Sequence, residues 1–351
     1  MKKAVSILTA ACLALSLAAC SSDSPSSAAA DPSSTSDASE SSSAETAEDT
    51  GTDASAAAYT IGICQQQPHE ALDAATQGFK DALVEAFGED GVTFDEQNAQ
   101  GDSNTCATII NGFVSGGYDL IMANGSSALQ AAAAGTADIP ILGTSVTEYG
   151  VALGIDGFDG TVGGNVSGTS DLAPLDQQAQ MLADFFPADQ YPTVGMLYCS
   201  AEPNSAYQVE QVTSYLTEMG YTVEDYSFSD SNDLATIATN ASTSCDVLYI
   251  PTDNTAASNT EIIQNICLPA GVPIIAGEQG ICSGCGVATL SISYYDLGYA
   301  TGEMAVQVLT GEADISTMPI EYAPNFTKMY NPSNCEALNI TVPDDYVAIE
   351  G

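Results

Sequence analysis

Four carboxylates are the side chains that could bind a charged small molecule. Three of them come just after short apolar runs, where a parallel strand would end and a ligand would have access. A buried cation requires a paired carboxylate, so we expect an ammonium group to bind here, with Asp253 and Glu278 as the favoured partners. The chain holds 46 acidic residues, and most of them must simply face solvent. For each candidate, the alternative to ligand binding is therefore an ordinary solvated side chain. The four candidates are Asp171, Glu202, Asp253 and Glu278.

Uncharged polar residues near the ends of the same apolar runs could bind the rest of a polar ligand. Asn124, Asn204 and Asn254 can donate and accept hydrogen bonds at once, which suits an amino acid or a nucleoside. The sequence contains no arginine, so a ligand carboxylate would need hydroxyl groups and free amides at helix N-termini. The hydroxyl candidates, which could equally be plain N-caps, are Ser126, Ser127, Thr147 and Ser205. Without tryptophan, stacking on an aromatic ligand would fall to Tyr149, Tyr207 or Tyr294.

His69 is the only histidine, and it follows Cys64 by five residues. A Cys/His hydrolase needs these two groups within hydrogen-bond reach. We expect Cys64 to face a core from a strand, and His69 to lie on the ligand side at the start of a helix. No Gly-X-Ser-X-Gly nucleophile motif occurs. The sequence therefore predicts a binding protein with no catalytic residue.

Eight cysteines follow the N-terminal region. An even number in an exported protein permits up to four disulfides, while free buried thiols are also compatible with the pattern. Cys282-Ser-Gly-Cys285 has the spacing of half a zinc ribbon, but a second pair with that spacing is missing. We expect no metal and no cofactor. The eight are Cys64, Cys106, Cys199, Cys245, Cys267, Cys282, Cys285 and Cys335.

The charge balance excludes several classes of partner. Forty-six acidic residues stand against four lysines, and the formal net charge is −42 at pH 7. Such a surface repels phosphate backbones and anionic lipid headgroups, which excludes nucleic-acid binding and a polybasic membrane patch. A phosphate-binding loop needs a Gly-Lys-Ser/Thr unit, and no lysine lies in one. A small molecule is the remaining kind of ligand.

The N-terminal residues predict export. Residues 1–20 combine Lys2 and Lys3 with an apolar run too short to span a bilayer. They end in Leu17-Ala-Ala-Cys20, which resembles the lipobox of bacterial lipoproteins, where Cys20 would carry the lipid; an ordinary signal peptide is the alternative. Residues 21–58 are small and polar and predict a disordered tether with a reach of about 35 Å. We expect an extracytoplasmic protein, lipid-anchored to the bacterial cell membrane.

From Tyr59 onward, short apolar runs alternate with segments of helical spacing. Residues 60–64 predict a strand, and apolar residues recur at helical spacing from Leu72 to Leu83. The same order returns about 130 residues later, where residues 246–250 match 119–122 and residues 272–275 match 139–142. Repeated βα units form parallel sheets covered by helices on both faces. The sequence predicts an α/β protein of two doubly wound lobes, whose strand ends would face each other across a ligand cleft.

Several short motifs, taken in order, resemble one family. They are Ile61-Gly-Ile-Cys-Gln65 with His69, Asn98-Ala-Gln-Gly-Asp102, Gly163-Gly-Asn-Val-Ser-Gly168 with Asp171, Glu202 with Asn204-Ser205, and Pro251-Thr-Asp-Asn-Thr255. Together they resemble ABC-transporter substrate-binding lipoproteins of the tryptophan/tyrosine type (TrpX-like), over nearly all of residues 59–351. The chain departs from that pattern at Gly125-Ser-Ser-Ala-Leu-Gln130 and at Gly277-Glu-Gln279, so its ligand can differ from that of the family.

The resemblance implies a type I periplasmic-binding-protein fold: two Rossmann-like lobes joined by a three-stranded hinge. We expect residues 59–170 plus 294–322 in the N-lobe, and residues 171–293 plus 323–351 in the C-lobe. The implied function is capture of a small polar ligand, an amino acid that can be aromatic, by a monomer that serves an ABC permease and its cytoplasmic ATPase. A sugar or nucleoside binder, or a ligand-sensing receptor domain of the same fold, remains the alternative. Gln65 and His69 join the acids, amides and hydroxyls above as ligand-binding candidates.

Overall fold

The computed structural model describes residues 59–350. The signal peptide, the Cys20 anchor and the tether predicted for residues 1–58 lie outside the described residues. Within residues 59–350, no helix is both long enough and apolar enough to cross a membrane.

The described chain alternates strands and helices as the sequence predicts. The strands are β1 (Tyr59–Gln65), β2 (Val92–Asn98), β3 (Leu120–Asn124), β4 (Ile141–Val146), β5 (Val166–Ser170), β6 (Thr193–Cys199), β7 (Thr222–Phe228), β8 (Val247–Ile250), β9 (Ile274–Ala276), β10 (Ala288–Ser291), β11 (Glu321–Tyr322), β12 (Thr327–Tyr330) and β13 (Val347–Ala348). The helices are α1 (Glu70–Phe87), α2 (Ser103–Gly116), α3 (Ser126–Gly135), α4 (Tyr149–Leu153), α5 (Leu175–Phe185), α6 (Pro203–Glu218), α7 (Ser231–Ser244), α8 (Asn254–Ala257), α9 (Thr260–Ala270), α10 (Gln279–Gly284), α11 (Tyr294–Thr310) and α12 (Pro332–Ala337).

Two sheets organise the described chain. The first has the strand order β11-β5-β4-β3-β1-β2, and all its neighbours are parallel. The second has the order β13-β12-β10-β9-β8-β6-β7; here β6 to β10 are parallel and β12 runs antiparallel to β10. Each is the doubly wound arrangement that repeated βα units favour. The α/β class with two doubly wound lobes is thus confirmed.

The chain passes between the sheets three times. The first passage follows β5, the second joins β10 to α11, and the third joins β11 to β12. Helix α11 packs on α1 and on strands β4 and β5, so it belongs to the first sheet although it follows β10 in sequence. Three crossing segments form a hinge that can change the angle between two otherwise separate cores.

Strands β3, β4 and β8 are buried along their whole length. Helices cover both faces of a doubly wound sheet, so its central strands need apolar residues on both sides. β3 and β8 therefore appear in the sequence as continuous apolar runs and not as alternating ones, whereas β4 begins with an apolar run and also contains Thr144 and Ser145. Because the strand interiors are apolar, polar side chains concentrate just beyond the strand ends.

Glycines allow α1 and α11 to pack backbone to backbone. A Cβ atom on Gly298 would overlap the carbonyl of Ala75, and one on Gly78 would overlap the carbonyl of Tyr295. This contact holds α11, and with it the second hinge segment, against the first sheet.

We predict that Gly298→Ala lowers the free energy of unfolding by about 1–3 kcal/mol, because the added methyl group forces the two helices apart. The matched control is Gly112→Ala in α2, where an added Cβ meets no atom within 4 Å. The control should raise stability by about 0.5–1 kcal/mol through helix propensity alone. Urea denaturation of both variants provides the measurement, and equal effects of the two substitutions would contradict the close packing of α1 on α11.

Candidate functional site

The loops that follow the strands of the two sheets meet across a cleft. The His69 ring, which follows β1, places Nε2 at 3.0 Å from Oδ1 of Asn254, which follows β8. The Ser258 hydroxyl donates a hydrogen bond to the carbonyl oxygen of Pro68 at 3.1 Å. Ligands of open α/β sheets bind beyond the carboxyl ends of the strands. The polar residues predicted from the sequence therefore lie at the expected edge, and the two lobes touch there.

Asp171 lies on the first hinge segment, directly after β5, and is 3% exposed. The Tyr294 hydroxyl, at the start of α11, donates to Asp171 Oδ2 at 2.9 Å. Asp171 Oδ1 is buried and has no hydrogen-bond partner among the described residues. Burial raises the pKa of Asp171, and the neighbouring Thr147 and Tyr294 hydroxyls partly offset that rise. A carboxylate oxygen is thus left to accept a hydrogen bond from another molecule.

Glu278 caps α10 at the other side of the hinge. Its two oxygens accept hydrogen bonds from the backbone amides of Gly280, at 2.6 Å, and Ile281, at 2.5 Å. Burial is the main cause that raises its pKa to about 7, and the negative charges of Glu70 and Asp171 add to the rise. Residues of α1, α10 and the start of α11, including Glu278 and Tyr294, line a cavity of 220 Å³. This second buried acid lies where both lobes meet.

Asp253 and Glu202 bind the backbone of their own lobe. Asp253 accepts from the amides of Cys199, at 2.6 Å, and Ala256, at 2.8 Å, so both of its oxygens are used. Glu202 accepts from the backbone amides of Asn254, at 3.0 Å, and Thr255, at 2.9 Å. Burial raises the pKa of Asp253, and the neighbouring charge of Glu202 raises it further. Asp253, favoured from the sequence as an ammonium ligand, is placed by the structure as the N-cap of α8.

Two asparagines each leave a buried amide oxygen without a partner. Asn124 donates from Nδ2 to the Leu72 carbonyl at 2.8 Å, and Asn204 donates from Nδ2 to the Thr252 carbonyl at 2.9 Å. A carbonyl group only accepts hydrogen bonds, so these contacts fix the orientation of both amides. Their Oδ1 atoms have no partner in the described part of the chain. One asparagine comes from each lobe, and both offer acceptors.

The His69 ring is held in one tautomer by its neighbour. Asn254 Nδ2 donates to Glu202 at 2.7 Å, which turns Asn254 Oδ1 toward the imidazole. His69 Nε2 must therefore carry the proton, and Nδ1 has no partner among residues 59–350. Burial lowers the pKa of His69 and keeps the ring neutral. The neutral ring presents a bare nitrogen acceptor.

Among the remaining candidates, Gln65 and Ser205 have contacts within their own lobe. Gln65 Nε2 donates to Asp73 at 2.6 Å, and its Oε1 accepts from Thr76 at 2.7 Å, so its side chain is satisfied within the first lobe. Ser126 and Thr147 are buried at the edge of the first sheet. Ser205 is buried in α6, with Oγ at 3.5 Å from the Thr252 carbonyl.

Most helix N-termini at this edge are already capped by the protein. Glu148, Asp253 and Glu278 cap α4, α8 and α10 with their carboxylates. In α3, the amide of Ser127 donates to Gln66 Oε1 at 2.8 Å. Side chains thus occupy the starts of α4, α8 and α10 and one amide of α3, whereas α1, α5 and α6 begin without a side-chain cap.

Two residues at the cleft edge are not among the ligand-binding residues predicted from the sequence. Gln66 is 4% exposed and links the loop after β1 to α3. Ser145 has a positive φ of 53° at an irregularity of β4, and its buried hydroxyl has no partner in the described region. The Gln65-Gln-Gln67 run signals a polar loop, but it does not reveal which glutamine is satisfied internally. A bulge in β4 has no signal in the sequence.

The three tyrosines have different surroundings. Tyr149 is buried in the core of the first lobe and donates to the Thr169 carbonyl at 3.0 Å. Tyr294 binds Asp171, and Tyr207 is half-buried on α6, which packs against α4 of the other lobe.

The cysteines of residues 59–350 are all buried and unpaired. Among these residues, no group of three or more His, Cys, Asp or Glu side chains is arranged to hold a metal ion.

Comparison with known proteins relates this cleft to solute capture. Residues 60–349 match the family model described as ABC transporter substrate binding protein. The chain is 35% identical over 282 residues to a tyrosine-binding protein of Clostridioides difficile (strain R20291), covering 80% of this chain and 81% of that protein.

Two solved structures are similar to the chain over most of its length. An ABC domain from Streptococcus pneumoniae in complex with L-Trp superposes with a TM-score of 0.77 at 31% identity, over 82% of this chain and 97% of that one. A ligand-free, open substrate-binding protein with adhesive properties from Clostridium difficile gives a TM-score of 0.63 at 36% identity, over 83% of this chain and 100% of that one. The backbone is thus more similar to the complex than to the open form, despite lower sequence identity. In this chain the His69 contact to Asn254 joins the two lobes across the cleft.

Substrate-binding proteins of ABC transporters act on the extracytoplasmic side of the membrane, where they hold the solute between two lobes. With a family model matched over nearly all of its described residues, this chain belongs to the ABC transporter substrate-binding protein family.

Proposed function

We propose that the protein is the binding component of an ABC importer for an L-amino acid, and that the amino acid is tyrosine or tryptophan. The observation that carries this proposal is the unpartnered carboxylate oxygen of Asp171, buried at the hinge between the lobes. An ionised carboxylate in such a place is stabilised by a ligand ammonium group. The similarity to a tyrosine-binding protein and to an L-Trp complex supports the aromatic side chain.

An amino acid fits this cleft better than a sugar or a nucleoside. Neutral ligands present hydroxyl and amide groups but no cation, and they would leave Asp171 buried without a counter-charge. Burying a carboxylate in this way costs several kcal/mol. The match to a substrate-binding family also favours transport over sensing by a receptor domain of the same fold.

Ligand binding in this proposal closes the lobes without chemical change. Asn124 and Asn204 belong to opposite lobes, each with an unpartnered amide oxygen, and Asp171 lies on the hinge itself. A ligand that contacts both edges favours the closed form, since only there can it make both sets of contacts. Closure also brings His69 to Asn254, which shields the ligand from water. The chain then needs no catalytic group.

The N-terminal sequence and the family support a proposal for the wider assembly. Cys20 would carry the lipid anchor, and residues 21–58 would tether a monomer of two lobes near a membrane permease and its cytoplasmic ATPase. The lobes would comprise residues 59–170 plus 294–322 and residues 171–293 plus 323–351.

We expect L-tyrosine or L-tryptophan to bind with a dissociation constant of about 1 µM or tighter, equivalent to about 8 kcal/mol. Isothermal titration calorimetry on the purified chain provides the measurement. D-tyrosine, D-tryptophan and glucose are the controls and should bind at least about tenfold more weakly. Tight binding of glucose, or no heat with either L-amino acid, would contradict the proposed function.

Affinity for the amino acid should rise as the pH increases from 5.5 to 7.5. Glu278 has a pKa of about 7 in the unliganded cleft, where it faces Glu70, Asp171 and Tyr294. An ammonium group favours the ionised form, so binding releases a proton and gains strength as the pH rises through about 7. His69, neutral through burial, would gain charge only at the acidic end and would change affinity in the same direction.

Calorimetry in buffers with different ionisation enthalpies measures the released protons. Glu278→Gln should reduce the pH dependence, whereas the exposed control Glu312→Gln should leave it unchanged. A pH-independent affinity without proton release would show that the cleft acids do not face the ligand cation.

Cys20→Ser should release the protein from the membrane, because a serine cannot carry the thioether-linked lipid. Fractionation of cells expressing the natural chain and the variant measures the effect, with Cys12→Ser as the matched control in the leader. The natural chain and the control should sediment with membranes, and the variant should appear in the soluble fraction. Membrane retention of Cys20→Ser would rule out this anchor.

A further inference from the structure

Gln66 is held in one orientation directly beyond the end of β1. Its backbone amide donates to the Asn124 carbonyl at 2.9 Å, and its own carbonyl accepts from the Gly101 amide at 2.9 Å. Its side-chain Oε1 accepts from the Ser127 amide at 2.8 Å. Gly125, with a φ of 101°, makes room for this side chain, because a Cβ atom there would overlap Oε1 and Cβ of Gln66. Gln66 is 4% exposed, so its backbone and its side chain are both fixed.

The fixed side chain keeps a hydrogen-bond donor free. A backbone amide can only donate, so the Ser127 contact assigns Oε1 of Gln66 to that position and leaves Nε2 as the donor. Within residues 59–350, the contact of Oε1 is the single hydrogen bond of this side chain. Gln66 also lines a cavity of 240 Å³. It therefore brings to the cavity N–H groups that no described residue accepts.

This cavity lies between the lobes, on the side of the cleft that is remote from the hinge. Its lining includes Gln66 and Ser127 of the first lobe and Glu202 and Ser229 of the second. Strands β1 and β2 end one side of the first sheet, and β6 and β7 end one side of the second. The first hinge segment follows β5, which β4 and β3 separate from β1, a distance of about 14 Å at the usual strand spacing. Gln66 and Asp171 therefore lie toward opposite ends of the cleft.

An amino acid bound at the hinge points the tip of its side chain toward this cavity. Its ammonium and carboxylate groups share one carbon atom, so both stay near Asp171 and only a long side chain extends farther. Three acids line the cavity and disfavour a second carboxylate there, namely Asp102, Glu202 and Asp230. Of the two aromatic tips, a phenol hydroxyl both accepts and donates hydrogen bonds, whereas an indole nitrogen only donates. The free N–H of Gln66 is therefore matched by a phenol oxygen.

We propose that Gln66 is a specificity-determining residue whose Nε2 donates to the phenol oxygen of L-tyrosine, so that the cleft selects tyrosine over tryptophan and phenylalanine. This inference rests on the proposed function and narrows its ligand to an aromatic amino acid with a para-hydroxyl group. A site built to hydrogen-bond a ligand hydroxyl discriminates strongly against analogues without an acceptor, because its buried polar group is then left unpaired.

A ligand series on the natural chain tests the selectivity. L-Tyrosine, L-phenylalanine and L-tryptophan are titrated into the full chain by calorimetry at pH 7.5. L-Tyrosine should bind at least about tenfold more tightly than each of the other two, as expected when a buried donor loses its acceptor. L-Phenylalanine isolates the hydroxyl group, because it differs from L-tyrosine in that group alone.

Two substitutions of Gln66 separate its donor from its packing. Gln66→Met removes the amide at similar length and should reduce the preference for L-tyrosine over L-phenylalanine to within about threefold. Gln66→Glu keeps an oxygen for the Ser127 amide and replaces the donor by an acceptor, which suits an indole N–H. The preference for L-tyrosine over L-tryptophan should then fall at least about threefold.

The matched control is Gln180→Met in α5, where Gln180 is exposed and donates to Asp184. It should leave the ratios of the three affinities unchanged. A purely structural role of Gln66 would weaken all three ligands alike, and those ratios would then also stay unchanged in the Gln66 variants.

The outcomes distinguish this inference from the function on which it rests. If L-phenylalanine or L-tryptophan binds the natural chain as tightly as L-tyrosine, the selectivity is overturned and the proposed function stands. If the tyrosine preference survives Gln66→Met and Gln66→Glu, the assignment to Gln66 is overturned. If neither L-tyrosine nor L-tryptophan binds, the proposed function fails together with the inference. The ligand series uses the natural chain, so the test stands even if neither variant folds.

Discussion

Burial of carboxylates without a matching cation is the constraint on which the cleft depends. Asp253 and Glu202 meet this constraint within the protein, because backbone amides at the start of α8 and at the end of β6 bind their oxygens. Glu278 does the same at the start of α10. Asp171 does so only in part, since one oxygen binds Tyr294 and the other is unpartnered in the described chain. The acid that is least satisfied by the protein lies where a ligand would bind.

The position of Asp171 couples this electrostatic constraint to movement of the lobes. Asp171 begins the first hinge segment, and Tyr294 directly follows the second. Their hydrogen bond ties two of the three crossings to each other. A cation bound to the free oxygen therefore acts on the segments about which the lobes rotate. Asn124 and Asn204, one from each lobe, would respond to the same ligand.

The sequence predicts the architecture well because the central strands are buried on both faces. Continuous apolar runs at residues 60–64, 119–122 and 246–250 coincide with β1, β3 and β8, and the repeated order predicts two lobes. The short strands β11 and β13 have no comparable signal, because they are exposed edge strands whose pairing is set by the hinge and the C-terminal segment. The location of polar residues beyond the strand ends follows from the same pattern.

The roles of the individual acids could be predicted only in part. Asp253 caps the backbone amide of Ala256, three residues later. An N-cap of this kind depends only on neighbouring residues, so the sequence can predict it. The capping by Glu278 is harder to foresee, because glutamate is not a favoured N-cap residue. The unpartnered oxygen of Asp171 depends on Tyr294, which is 123 residues away in the sequence. Such a long-range contact arises from the fold alone.

A crystal structure of the full chain with L-tyrosine is the most direct test of the central claim, that an unsatisfied carboxylate at the hinge binds the ligand cation. The account predicts the ammonium nitrogen at about 2.7–3.2 Å from Asp171 Oδ1, with the ligand in contact with both lobes. A ligand whose ammonium group is bound elsewhere, or that contacts a single lobe, would contradict it.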